Sequence, residues 1–223
     1  MFGKNKITKP RFGDGSILAI KEIFATIQGE GPFAGEPSVF VRLGGCNLQC
    51  KFCDTDFDNS QEMSLDLLLT TINQLSLNEG KRVRKLIVIT GGEPFLQPIE
   101  NLCDQLIKAK YKVQIETNGT IYREINPEVF IICSPKAGIT GYSIIRNDIL
   151  DRVSALKFII SKFDNNYNFV PEYKEYEEKE IYIQPMDELC ENKNKENLNY
   201  CIDLSLKKGY KLSLQLHKII GVR

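Results

Sequence analysis

The chain has 223 residues, 42% of them hydrophobic and 26% charged. That is enough for one full-sized domain with a substantial core, and it excludes a disordered or collagen-like chain. Lys+Arg and Asp+Glu are both 29, a formal net charge of +0, so no global basic field holds nucleic acid and nothing polybasic marks a membrane surface.

In chain order, residues 1–16 carry Lys4, Lys6, Lys9 and Arg11 with no apolar stretch, and read as an N-terminal extension rather than a secretory signal. Residues 39–43 read as a first strand. Leu65, Leu68, Leu69, Ile72 and Leu75 then recur at helical spacing, with Gly80 as a stop. Residues 86–90 form a continuous β-rich run, expected of a strand buried on both faces. Ile99, Leu102, Cys103, Leu106 and Ile107 mark a second amphipathic helix. Strands follow at 112–116, 129–133, 156–160 and 181–184, then a third helix at 196–208 and a last strand at 212–216. The polar stretch 162–180 reads as a solvated excursion on a single domain spanning 1–223. Ile219, Ile220 and Val222 predict a terminus packed against that domain. The most apolar short run, 86–89, is far below the about 20 residues of a membrane helix. A cytoplasmic location is expected, where thiols stay reduced.

Strand–helix alternation predicts a parallel α/β sheet, and only three connections carry a long helix. An open sheet or incomplete parallel (β/α) barrel with about six core strands and few long helices is therefore expected. Ligands of such sheets bind beyond the carboxyl ends of the strands. Cys46, Gly91-Gly92-Glu93, Thr117-Asn118-Gly119, Ser134-Pro135-Lys136 and Gln184-Pro185-Met186 each follow a predicted strand and would converge on one rim.

The chain holds seven Cys, and Cys46, Cys50 and Cys53 have C-x3-C-x2-C spacing. A structural zinc site takes four ligands, and no fourth is near; the lone His, His217, lies far along the chain. Three thiolates on a [4Fe–4S] cluster leave one iron open for a small molecule. A zinc knuckle would need Cys103, Cys133, Cys190 or Cys201, of which Cys103 and Cys201 fall on apolar helix faces as core cysteines.

With Gly91-Gly92-Glu93-Pro94 at the next strand end, the chain resembles the radical S-adenosylmethionine (SAM) enzymes, whose fold is an incomplete parallel (β/α) barrel. The resemblance implies that SAM binds the open iron, and that its one-electron cleavage gives a 5′-deoxyadenosyl radical that abstracts hydrogen. The likeness extends to the 7-carboxy-7-deazaguanine synthase family through residues 24–32 (FATIQGEGP), 40–46 (FVRLGGC), 53–55 (CDT), 90–94 (TGGEP), 116–120 (ETNGT), 134–136 (SPK), 184–186 (QPM) and 213–218 (SLQLHK). Members commonly carry Trp where Phe52 stands; both are aromatic. The implied reaction contracts 6-carboxy-5,6,7,8-tetrahydropterin to 7-carboxy-7-deazaguanine with release of ammonia, feeding deazapurines such as queuosine of transfer RNA. Mg2+, a flavodoxin-type reductant and a homodimer are further implications, with no catalytic side chain beyond the cluster and SAM.

By the same resemblance, Cys46, Cys50 and Cys53 hold the cluster. Phe52, Cys53, Asp54, Gly92, Ser134, Pro135, Lys136, Gln184, Pro185, Met186 and Asp187 border SAM. Thr55 would be the Mg2+ ligand, although on chemistry alone Asp54 and Asp56 are better oxygen donors. For the pterin, Arg42 can fork onto a carboxylate, and Ile27, Gln28 and Gly29 offer backbone and amide groups. Thr90 stands where both ligands could be touched, and the terminal carboxylate of Arg223 would reach substrate. Glu30, Glu116 and His217 are weaker candidates. Two rivals compete: a radical SAM activase of a glycyl-radical ribonucleotide reductase, and an iron–sulfur electron carrier. The first leaves residues 26–30, 53–55 and 215–218 unexplained. The second would ordinarily hold its cluster with four Cys.

Overall fold

The computed structural model describes residues 5–53, 55–138, 141–142 and 145–222. Nine strands form the main sheet: β1 (Ile17–Ile27), β2 (Pro37–Leu43), β3 (Gln61–Ser64), β4 (Leu86–Gly91), β5 (Lys112–Thr117), β6 (Phe130–Cys133), β7 (Ala155–Ile160), β8 (Glu180–Pro185) and β9 (Lys211–Leu212). Their spatial order is β9-β8-β7-β6-β5-β4-β2-β1-β3. From β2 to β9 every neighbouring pair is parallel, while β1 runs antiparallel to both β2 and β3. The sheet stays open at β9 and β3, the incomplete barrel expected, with seven parallel strands where about six were counted.

Strand parity sorts the sheet into two faces. Val39, Val41, Leu43, Ile87, Ile89, Val113, Ile115, Ile131, Leu156, Phe158 and Ile183 share one buried cluster. Helices α1 (Leu65–Ser76), α2 (Glu100–Lys108) and α4 (Glu191–Lys208) add Leu68, Ile72, Leu102, Leu106 and Cys201 to it. A short helix α3 (Asn147–Leu150) contributes Ile149 and Leu150. The alternate positions, Phe40 and Arg42, Val88 and Thr90, Gln114 and Glu116, Lys157 and Ile159, Tyr182 and Gln184, are matched by pairing register. They make a second face that carries the polar chemistry.

Five differences separate the structure from the sequence reading. Strand β1 precedes the expected first strand; Lys21, Glu22 and Thr26 interrupt its apolar run, and its register shifts between Ile20 and Glu22. The last strand ends at Leu212, and Leu216 instead opens helix α5 (Leu216–Ile220), so His217 is helical. Helix α4 begins at Glu191, five polar residues ahead of its apolar signal. Ile219, Ile220 and Val222 are not packed down; they are exposed. The polar stretch 162–180 is also less solvated than expected, since Tyr167, Val170 and Tyr176 are buried in the core.

Candidate active site

Two cavities open side by side at the carboxyl ends of the parallel strands. The smaller, about 200 Å3, is lined by Cys46, Cys50, Cys53 and the residues that follow β4, β5, β6 and β8. Its cysteine loop has no helix or strand among described residues 47–60, so contacts from neighbouring loops shape it. Glu93 N donates to Gly45 O at 2.9 Å. Asn118 Nδ2 donates to Asn47 Oδ1 at 3.0 Å and lies 3.9 Å from Cys46 Sγ. Gly92 sits so close that a Cβ there would lie 1.9 Å from Gly45 O; only glycine permits that approach. Phe52 stands edge-on to Tyr167, ring centroids 5.0 Å apart, which fixes one wall.

Glu93 anchors the rim. It is fully buried, and its carboxylate accepts from Phe95 N at 3.0 Å, Thr117 Oγ1 at 2.7 Å and Asn118 N at 2.7 Å. Burial raises its pKa to about 7 against those hydrogen bonds. Burial likewise pushes the Cys46 thiol up to about 11 and raises Cys50, so metal loading must release protons. Lys136 Nζ donates to Ser134 O at 2.7 Å and to Ser134 Oγ at 2.6 Å, and burial lowers its pKa.

The second cavity, about 450 Å3, lies over β1, β2 and β4. Register places Glu22, Arg42 and Thr90 in one row, with Phe24 opposite Phe40 in a neighbouring row. The shift in β1 at Lys21 re-aims this edge, as bulges beside sites do. Arg42 Nε donates to Glu22 Oε1 at 2.6 Å, and its Nη1 reaches Thr55 Oγ1 at 3.3 Å. Phe24 and Phe40 stack at 5.5 Å, with the Arg42 guanidinium 5.9 Å from the Phe24 centroid. Gly29 packs against His217 behind the cleft; a Cβ there would meet His217 Nδ1 at 2.2 Å.

An ion network joins the two cavities. Lys157, 4% exposed, pairs with Glu30 and lies 3.5 Å from Glu116 Oε2. Gln215 Nε2 donates to Glu30 at 3.1 Å, and Gln28 and Gln114 donate to Glu116 at 3.0 and 2.9 Å. Burial alone would raise the Glu30 pKa; the Lys157 charge and hydrogen bonds from Lys157 and Gln215 outweigh it and hold the pKa down at about 2. Burial opposes the charge on Lys157, but the two carboxylates raise its pKa. Buried Gln114 Oε1 has no hydrogen-bond partner among the described residues.

The expected residues therefore gather. Cys46, Cys50, Phe52, Cys53, Gly92, Ser134, Lys136, Gln184, Pro185, Met186 and Asp187 line the smaller cavity; Ile27, Gln28 and Arg42 line the larger; Thr55 and Thr90 line both. Pro135 shapes the turn without facing the space, and Gly29 stands behind its wall. Asp54 and Arg223 lie outside the described residues. Glu30, Glu116 and Gln215 line both cavities, and His217 the larger. Lys157 was missed, although a lysine inside the apolar run ALKFII was the signal. Cys103 and Cys201 are fully buried core cysteines, as expected.

Residues 40–131 match the Radical SAM superfamily. The chain is 48% identical to 7-carboxy-7-deazaguanine synthase of Rickettsia prowazekii, over 100% of this chain and 96% of that protein. It is 35% identical to the enzyme of the same name from Rhodospirillum rubrum, over the whole of both chains. The chain belongs to the 7-carboxy-7-deazaguanine synthase family. The crystal structure of QueE from Escherichia coli superposes with a TM-score of 0.72 at 26% identity, covering 90% of this chain and 95% of that one. The protein is thus a radical SAM enzyme of deazapurine synthesis acting on a small molecule.

Membership implies a [4Fe–4S] cluster and SAM, and the smaller cavity fits them. None of its three cysteines is in a disulfide, and none of the other four cysteines lines it. Among the described residues no three His, Cys, Asp or Glu groups converge on a single ion. A cluster does not ask for that, because each thiolate binds a different iron. No helix among the described residues is long and apolar enough to cross a membrane.

Proposed function

We propose that this single-domain chain converts 6-carboxy-5,6,7,8-tetrahydropterin to 7-carboxy-7-deazaguanine with release of ammonia, for deazapurines such as queuosine of transfer RNA. The observation that carries this reading is the polar cleft opening directly onto the cysteine-lined cavity, with Thr55, Thr90, Glu30 and Glu116 common to both. Bound cluster and SAM supply an adenosyl radical; the chain's own residues place the substrate against it.

Cys46, Cys50 and Cys53 are the cluster ligands. Gly92 lets the β4 loop approach the cofactor, and Phe52, Cys53, Asp54, Ser134, Pro135, Lys136 and residues 184–187 enclose SAM. In the cleft, Arg42 orients the substrate carboxylate, and Ile27, Gln28, Gly29 and Thr90 meet the ring. The carboxylate of Arg223 accepts from the pterin amino edge. Thr55 holds Mg2+; Asp56, the other described oxygen donor beside it, is paired with Lys21 at 3.0 Å. A homodimer in the cytoplasm, reduced by a flavodoxin-type protein, completes the proposal.

The test is anaerobic incubation of the reconstituted protein with carboxytetrahydropterin, SAM, Mg2+ and reductant. Stoichiometric 7-carboxy-7-deazaguanine and ammonia are expected. SAM cleavage without that product would overturn the assignment. Within the same assay, Thr55→Ala is expected to weaken the Mg2+ stimulation of turnover while leaving cluster absorbance unchanged. Equal Mg2+ dependence in both proteins would move the metal to other ligands.

A further inference from the structure

Residues 5–11 lie against the loop that carries the cysteines. Ile7 forms a parallel bridge with Cys46, and Thr8 N donates to Cys46 O at 2.7 Å. Arg11 N donates to Leu96 O at 2.6 Å, and Arg11 O accepts from Arg123 Nη2 at 2.8 Å. The segment is therefore tied at one end to the sheet's rim and at the other to the loop.

Asn5 makes the closest set of contacts. It is 8% exposed, unusual for an asparagine ahead of the first strand. Its Nδ2 donates to Thr55 O at 2.8 Å, and its Oδ1 accepts from Phe57 N at 3.2 Å. The same Nδ2 lies 4.0 Å from Cys53 Sγ. Gln49 Nε2, from the middle of the loop, donates back to Asn5 O at 3.1 Å. One side chain thus spans the backbone just after Cys53, and its own backbone fixes the stretch between Cys46 and Cys50.

A loop with neither helix nor strand must find partners for its backbone groups elsewhere. Here residues 5–8 supply them at Cys46, Thr55 and Phe57, and the Asn5 carbonyl also holds the Gln49 side chain. We propose that residues 5–8 clamp the cysteine loop in its metal-ready shape, with Asn5 as the positioning residue whose amide also directs an N–H at the Cys53 sulfur. The clamp rests on the reading of Cys46, Cys50 and Cys53 as cluster ligands, but assigns a task to a segment that reading does not use. Groups that orient metal ligands are worth roughly 10–100-fold in metal affinity when removed, and hydrogen bonds to the sulfurs tune a cluster's potential.

The experiment compares anaerobically reconstituted wild type, Asn5→Ala, Asn5→Asp and, as an exposed control in the same segment, Lys6→Ala. Three quantities are read with neither SAM nor substrate present: iron release to a ferrous chelator, midpoint potential by electron paramagnetic resonance, and Tm of the metal-free protein. Asp keeps the size of Asn and the acceptor for Phe57 N, but loses the donor to Thr55 O. Both Asn5 variants should release iron about tenfold faster than wild type, with midpoints shifted to more negative values, further for Asp because it adds charge. Lys6→Ala should match wild type.

Unchanged release and unchanged potential in both Asn5 variants would overturn the clamp. So would faster release that merely tracks a lower metal-free Tm with the potential unmoved, since that is a general loss of stability. If Asn5→Ala does not fold, Asn5→Asp decides alone. A wild type that loads no cluster defeats the cysteine assignment instead, so the two failures are distinguishable.

Discussion

The two cavities are built by opposite means. The cofactor side is made by backbone: the loops after β2 and β4 approach one another so closely that Gly92 has no room for a Cβ. The substrate side is made by side chains in ion pairs, Glu22 of β1 with Arg42 of β2, and Lys157 of β7 with both Glu30 and Glu116. A backbone-built pocket holds its shape whatever the charge state, and gives way to added volume. A charge-built cleft tolerates volume better, and gives way when one partner is removed, because the other is left buried and uncompensated.

The largest effects should come from the thiolates. Cys46→Ala, Cys50→Ala and Cys53→Ala are each expected to abolish cluster assembly and SAM cleavage, while Cys103→Ala and Cys201→Ala keep full iron content. Iron and sulfide analysis decides; a fully loaded, active Cys50→Ala protein would remove the basis for the cofactor side.

Lys157→Met attacks the ion network that joins the two cavities. Breaking a buried pair costs about 3–5 kcal/mol, readable in denaturant melts of the metal-free protein. With the lysine gone, burial dominates Glu30 and raises its pKa from about 2. A raised carboxyl becomes neutral as pH falls, so the variant's substrate KM should climb as pH is lowered, more steeply than the wild type's. A pH-independent KM in the variant would show that Glu30 does not face substrate.

Gly92→Ala tests the other construction. Overpacking costs about 1–3 kcal/mol, and here the clash is with Gly45 O, one residue before the first cluster cysteine. SAM affinity should fall while the metal-free substrate cleft keeps its ion pairs. Unchanged SAM binding by anaerobic equilibrium dialysis would mean the β4 loop has slack.

The contrast also explains what could be read from sequence. Strands β2, β4, β5, β6 and β8 carry apolar runs with polar motifs at their carboxyl ends, so both the sheet and the cofactor side were legible. Strand β1 was hidden because Lys21 and Glu22 serve the cleft, which spoils alternation. The charge-built side was mostly hidden, because Glu30, Glu116 and Lys157 are far apart in the chain. Only the pairing of β5 with β6 and of β6 with β7 brings Glu116 and Lys157 together, with Glu30 reaching them from the loop after β1. Helix α5 was not anticipated, and its first residue Leu216 was given to the last strand, since five residues carry too little periodicity to tell helix from strand.

The smallest expected effect lies where the two sides meet. Asp187, on the cofactor wall, pairs with Lys218 of α5 at 2.8 Å, their side chains 24% and 37% exposed. It also accepts from Leu189 N at 2.9 Å and Asn194 Nδ2 at 2.8 Å. The Lys218 hydrogen bond leads the influences that hold the Asp187 pKa at about 2. A partly exposed pair of this kind is worth about 0.2–1 kcal/mol, so Lys218→Ala should cost no more than that in urea melts of the metal-free protein. The sign with pH is fixed: a depressed carboxyl contributes fully above its unfolded value of about 3.9. The gap between wild type and variant should therefore be complete at neutral pH and close as pH falls toward 2. A gap that persists in acid would mean that Lys218 stabilises α5 by packing rather than through Asp187. A gap well above 1 kcal/mol at neutral pH would mean that the two sides are coupled through α5 more tightly than one surface pair allows.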